Sequence, residues 1–301
     1  MQGFTNLVGQ KRAQKILKEA IKQDRVSHAY LFIGAEGTGK RSLALAFAAA
    51  LNCSDSEPPC GTCRSCRRIL AGNHPDLTIL EPEGKSFKIG QIRHLQQLIS
   101  LKPYEGGWKI FIIDGAETFT EQAANSLLKT LEEPPVRSVL ILLANTALLL
   151  PTITSRCIMV HLQPLSDHLV RQILEEKGYS EAERIAAIAG GSLGKAFQIA
   201  ASWSELSEPV TTFLQAVTQD RAWMVDSSIY TRFKEGLDFQ GLFLDLCEAD
   251  YKQGVLAQPQ VGLAALEIIQ DAREQLRSNV NPEGVLRTLA IKLARLQRRA
   301  V

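Results

Sequence analysis

The chain has 301 residues, of which 45% are hydrophobic and 22% charged, an ordinary balance for a globular protein. Its length suggests about two domains, and its net charge of +2 gives no bulk electrostatic reason to bind nucleic acid. No apolar stretch is long enough to span a membrane, because 139–143 and 148–150 are short and separated by Asn145 and Thr146.

The first six residues, MQGFTN, lack the charged start and apolar core of a signal peptide, so a cytoplasmic location is expected. Residues 30–33 form a short apolar run that reads as a buried strand and ends at Gly34. Gly34, Gly37, Gly39 and Lys40 follow in the spacing of a phosphate-binding loop, and 42–51, rich in alanine and leucine, reads as the helix after it. Further buried-strand candidates are 77–80, 109–113, 138–143 and 157–160. Five strands separated by helical patterns imply a parallel sheet with helices on both faces. After Pro164 the strand patterns stop and helical periodicity takes over. Leu286, Leu289, Leu293 and Leu296 fall on one face of a last helix, which Asn281 and Pro282 open as N-cap and first-turn proline. Arg287, Lys292, Arg295, Arg298 and Arg299 form a run without acids that reads as a solvated face.

Four cysteines lie between the phosphate loop's helix and the second strand. Cys60, Cys63 and Cys66 make two overlapping C-x2-C steps, and Cys53 stands upstream. C-x2-C supplies two thiolates from one tight turn, and a fourth thiolate closes a tetrahedral zinc site with no open position for catalysis. Arg64, Arg67 and Arg68 are placed to offset the thiolate charge. The competing disulfide reading needs an oxidising compartment. Cys157 and Cys247 lie in apolar surroundings and read as buried thiols, while His74 and His94 show no partner spacing and read as solvated.

The phosphate loop is incomplete. The position after Lys40 should offer a hydroxyl to Mg2+, and it holds Arg41. Ser42 is about 100° further round the helix, and an arginine has no lone pair to give a metal. The strand at 109–113 ends in Asp114, as a Walker B strand does, but Gly115 stands where many such ATPases orient water with glutamate. Two readings stay open for the loop: a degenerate ATP site, or a relic that shapes the fold and binds nothing. Hydrolysis by the chain itself is not expected.

These segments together resemble the AAA+ clamp-loader subunits of bacterial DNA polymerase III. The likeness is carried by residues 7–10 (LVGQ), 28–32 (HAYLF), the cysteine knuckle, 125–135 (NSLLKTLEEPP), 150–157 (LPTITSRC) and 190–196 (GGSLGKA). ATP-hydrolysing relatives carry an arginine where this chain has Gly194, with Lys195 beside it. The resemblance implies an AAA+ α/β P-loop domain at 1–164 with an inserted zinc knuckle at 53–66. A small helical lid at 165–205 and an all-α collar at 206–301 follow. It also gives Arg156 a role, as a finger reaching into a neighbouring subunit's ATP site; the alternative is a salt bridge to Glu132 or Glu133. The implied partners are gamma/tau motor subunits and a delta subunit in a five-membered ring, and through the ring a sliding clamp and primed DNA. The implied function is that of a largely non-hydrolysing stator, with an ATP-hydrolysing gamma/tau-like motor subunit as the alternative. The chain would belong to a polymerase holoenzyme without a polymerase site of its own. A zinc-knuckle module for nucleic acid would interleave aromatics with basic residues, and there is no aromatic between Asn52 and Leu80.

Overall fold

The computed structural model describes residues 4, 8–147, 149–219, 227–233, 237–255 and 259–298. Leu7 and Arg299, and the N-terminal residues read for a signal peptide, lie outside the described residues, apart from Phe4. The chain divides into two compact units, residues 1–165 with 192–194, and residues 166–191 with 195–301.

The first unit is built on five parallel strands: β1 (Ala29–Ile33), β2 (Leu77–Leu80), β3 (Lys109–Asp114), β4 (Ser138–Ala144) and β5 (Ile158–His161). Their order across the sheet is β2-β3-β4-β1-β5. Side chains alternate across a strand, so β3 sends Ile110 and Ile112 into one core and Phe111 and Ile113 into the other. One face is covered by α1 (Lys11–Lys22), α2 (Lys40–Leu51) and α3 (Arg64–Leu70), through Leu17, Phe47 and Ile69. The opposite face takes α4 (Ile89–Ile99), α5 (Glu121–Glu132) and the short α6 (Pro151–Thr154), through Ile92, Leu127 and Ile153. Helix α2 is alanine-rich because it is buried almost all round, with Ala44, Ala46, Ala48, Ala49 and Ala50 all in the core. The expected buried strand at 157–160 needs correction. It runs one residue later, and at the sheet's edge Ile158 and Met159 are exposed.

The second unit is helical: α7 (Asp167–Glu176), α8 (Ala182–Ala189), α9 (Leu193–Ala201, whose first two residues fall in the first unit), α10 (Trp203–Thr218), α11 (Ser227–Phe233), α12 (Leu237–Val255), α13 (Pro259–Arg277) and α14 (Pro282–Arg298). Phe243 anchors it, edge-on to Phe213 at 5.3 Å and to Phe233 at 5.5 Å. Lys195 and Arg273 both pair with Asp245, at 2.8 and 3.0 Å, and Arg273 also reaches Glu248 at 3.0 Å. This ties α9 to α12 and α13.

Helix α14 starts as its sequence predicts. Pro282 is its first residue, and Asn281 Oδ1 accepts the Glu283 N–H at 3.1 Å. Asn281→Ala should therefore cost about 1 kcal/mol, read as an earlier midpoint in urea unfolding with an unchanged slope; no shift would mean the cap is idle. Of the leucine stripe, Leu286, Leu289 and Leu293 are buried, whereas Leu296 is half-buried. The basic run is not free of acids: Arg287 pairs with Glu283 at 2.9 Å, and Lys292 reaches Asp271 of α13 at 3.5 Å.

Candidate functional site

The phosphate loop, Asp114 and Asn145 meet at the C-terminal ends of β1, β3 and β4, where open parallel sheets bind ligands. Gly34 closes β1, and only glycine fits there: a Cβ would lie 2.7 Å from the Leu162 carbonyl and 2.9 Å from Thr38 Oγ1. Gly39 precedes α2 with φ +92°, a left-handed conformation that glycine adopts freely. The Gln10 side chain holds the loop from behind. Its amide donates to Thr38 O at 3.3 Å and Gln163 O at 2.7 Å, and its oxygen accepts the Gln163 N–H at 3.1 Å.

Lys40 is buried and fully engaged. Its Nζ donates to Gly34 O at 2.8 Å, Ala35 O at 2.9 Å and Asn145 Oδ1 at 2.8 Å. Burial lowers its pKa, with Asp114, Glu117 and Glu36 pulling the other way. Asn145 in turn donates to Glu117 Oε1 at 2.7 Å, and the second Glu117 oxygen is buried with no hydrogen-bond partner among the described residues. Arg41 donates to Glu81 and lies 3.5 Å from Asp114 Oδ2. Burial raises the Asp114 pKa against the opposing charges of Arg41 and Lys40. Asn145 stood out in the sequence only as a polar break between two apolar stretches, and its bond to Lys40 makes it part of the loop. Glu81 and Glu117 were missed. Their signal was position only, since Glu81 lies just beyond β2 and Glu117 shortly after β3, at the same end of the sheet as the loop.

Mg2+ in a working P-loop is held by the hydroxyl after the lysine, with an acidic group of the second motif close by. Here the first ligand is absent, and the acidic group already faces a guanidinium. The residues present do not fit the metal.

The knuckle does gather its ligands. The four sulfur atoms of Cys53, Cys60, Cys63 and Cys66 all lie within 4.8 Å of one another, near the spacing of about 3.8 Å that tetrahedral bonds of 2.3 Å require. Backbone N–H groups point at the sulfurs: Cys60 N to Cys53 Sγ at 3.4 Å, Cys63 N to Cys60 Sγ at 3.3 Å and Cys66 N to Cys63 Sγ at 3.4 Å. The last of these makes Cys63 the N-cap of α3. Hydrogen bonding to the Thr62 side chain, then to the Cys63 and Thr62 backbones, pulls the Cys60 thiol down to about 6. Burial pushes the Cys53 and Cys66 thiols up. All six cysteines are free of disulfides, and the donor set suits one soft divalent cation.

Arg68, placed by sequence near the thiolates, instead pairs with Glu105 at 2.7 Å. His74 is buried rather than solvated: Nδ1 accepts the Asp76 N–H at 3.1 Å, and Nε2 lies 3.2 Å from Ser65 Oγ and 3.1 Å from Glu105 Oε2. Together these bonds tie α3 of the knuckle to the start of β2. His94 is exposed.

Arg156 follows α6 at the surface. Its Nη2 donates to Glu132 Oε1 at 2.8 Å and its Nη1 to Thr152 O at 2.9 Å. The alternative salt bridge to Glu132 is thus present, with the two side chains 35% and 51% exposed. Next to it Cys157 packs against the core, and burial raises its thiol to about 12. Cys247 is fully buried, and its thiol is likewise pushed up.

Residues 9–166 match the family described as DNA polymerase III, delta subunit. The chain is 31% identical to DNA polymerase III subunit delta' of Bacillus subtilis, over 94% of this chain and 96% of that one. It is 37% identical to DNA polymerase III subunit tau/gamma of Haemophilus influenzae over 57% of this chain, but spans only 25% of that protein. Among solved structures it is similar to a DNA polymerase III gamma subunit-related protein of Thermotoga maritima. There the TM-score is 0.56 at 19% identity, over 95% of this chain and 99% of that one. It is also similar to the Thermotoga maritima RuvB Holliday junction branch migration motor, with a TM-score of 0.52 at 17% identity, over 94% of this chain and 89% of that one.

Proposed function

This chain belongs to the DNA polymerase III delta-prime family of clamp-loader subunits, and we propose that within the loader it is a stator that does not hydrolyse ATP. In this reading it lends Arg156 to the ATP site of a neighbouring gamma/tau motor subunit. The ring holds five subunits, a delta subunit among them, and loads a sliding clamp onto primed DNA in the cytoplasm. The observation that carries the reading is the state of Lys40. All three of its N–H donors are spent on Gly34, Ala35 and Asn145, so the residue that should greet phosphate is satisfied without it. Arg41 and Gly115 add to this, since they stand where a hydroxyl and a glutamate would position Mg2+ and water.

Residues 1–164 are assigned as the AAA+ domain, 165–205 as the lid and 206–301 as the collar. The Lys195–Asp245 pair supports a lid joined firmly to the collar, as suits a part that does not cycle. It also occupies the lysine beside Gly194, leaving no cation of that pair for a sensor role. The four-cysteine knuckle is assigned a structural zinc ion, one per chain.

The alternative is an ATP-hydrolysing motor like gamma/tau, and one observation favours it. Glu117, held by Asn145, puts a carboxylate beside the loop despite Gly115. An ATPase assay of the purified chain, alone and then mixed with a gamma/tau subunit that can lend it a trans arginine, tests between them. The expected result is no turnover of this chain's own above background, where an ordinary enzyme gives about 1–10³ s⁻¹. Turnover in that range that vanishes in Lys40→Ala would make this chain a motor.

A further inference from the structure

The phosphate loop of this chain carries its own cation. Arg41 extends from the first turn of α2 across to the ends of two adjacent strands, donating to Glu81 beyond β2 and lying 3.5 Å from Asp114 Oδ2 at the end of β3. From this geometry we infer that Arg41 is a resident counter-ion that keeps divalent metal, and with it metal-bound nucleoside triphosphate, out of the loop. The inference rests on the reading of the loop as silent, and adds the agent of its silence.

Two physical arguments support it. Asp114 is partly withdrawn from water and flanked by the negative charges of Glu81 and Glu117, so the cluster needs a cation whatever the chain's state. A guanidinium tethered one residue from Lys40 meets that need at an effective concentration on the order of millimolar or more, and any free divalent cation has to displace it. The second argument concerns phosphate. Without a divalent ion, an incoming triphosphate meets four carboxylates, Glu36, Glu81, Asp114 and Glu117, against the two cations Lys40 and Arg41. The local field then opposes a polyanion.

The test is Mn2+ binding to the full-length, zinc-loaded chain, read as loss of the free Mn2+ electron paramagnetic resonance signal, with and without ATP. The wild type should leave Mn2+ free. Arg41→Ser, and Arg41→Gln as a variant closer in volume, should each gain a site about tenfold tighter or more, an advantage of about 1.4 kcal/mol. Adding Asp114→Asn to either should abolish the gain. A folded variant that gains no Mn2+ site would overturn the inference. So would Mn2+ bound by the wild type and lost in Asp114→Asn, a comparison that needs no Arg41 variant to fold. These outcomes are separate from the ATPase assay. A chain that binds Mn2+ and ATP yet turns nothing over would remain a stator and would not be locked by Arg41.

Discussion

Removing the knuckle's metal, or replacing Cys63 with serine, should cost more stability than any other local change in this chain. Structural zinc contributes on the order of 10–16 kcal/mol to the folding of small zinc modules. Here part of that would be recovered, because the knuckle sits on a core that exists without it. Cys66 and Ile69 are fully buried against the alanine-rich face of α2, and Cys53, Cys60 and Cys63 pack on the same cluster. Without a cation four sulfurs are left crowded around an empty centre, and the N–H groups of Cys60, Cys63 and Cys66 lose a charged acceptor. Cys63→Ser isolates the loss of the ligand, since Cys63 also caps α3 and a serine oxygen accepts the Cys66 N–H in its place. The wild type purified without chelator should hold one zinc ion per chain by elemental analysis. Cys63→Ser should hold far less and melt several degrees lower, while much of the far-ultraviolet dichroism survives in the sheet and the helical unit. Chelator-treated protein that loses its zinc and melts unchanged would remove the structural role.

The parts legible in the sequence are those fixed by local pattern. The apolar runs at 30–33, 109–113 and 138–143 became β1, β3 and β4 because a parallel sheet covered on both faces needs continuous apolar strands. The glycine spacing of the loop and the C-x2-C steps are likewise local, and each brought its residues together. What the sequence hid depends on residues far apart in the chain. The run at 157–160 is as apolar as the others, yet among the described residues β5 pairs with β1 alone and leaves Ile158 and Met159 exposed; composition cannot distinguish an edge from a centre. His74 lacked a partner at any familiar spacing because its partners include Glu105, which arrives after β2 and α4. The ion pair of Lys292 with Asp271 crosses between two helices. The most consequential gap concerned Arg41. Its identity argued only that Mg2+ lacked a ligand, whereas its position, set by the pairing of β2 with β3, brings it between two carboxylates.

The second large effect is expected at a site this chain does not own. Arg156→Ala should leave the chain folded and able to assemble. The guanidinium's charged partner is Glu132, beside a bond to the Thr152 carbonyl; the pair is partly exposed, and such pairs contribute about 0–1 kcal/mol. The same exposure lets the side chain exchange Glu132 for a more highly charged partner. A guanidinium delivered to a γ-phosphate stabilises charge that builds up in phosphoryl transfer, and trans-acting arginines of this kind raise turnover about 10³–10⁵-fold. The expected loss is of that order at the one motor site facing Arg156, read in a reconstituted ring whose other motor sites are silenced. Arg156→Lys should recover only part of the rate, because an ammonium keeps the charge without the planar fork. Lys40→Ala in the same ring is the contrast, and it should change turnover little. An Arg156→Ala ring with undiminished turnover, beside a Lys40→Ala ring that is dead, would reverse the two roles and leave Arg156 as no more than a surface partner of Glu132.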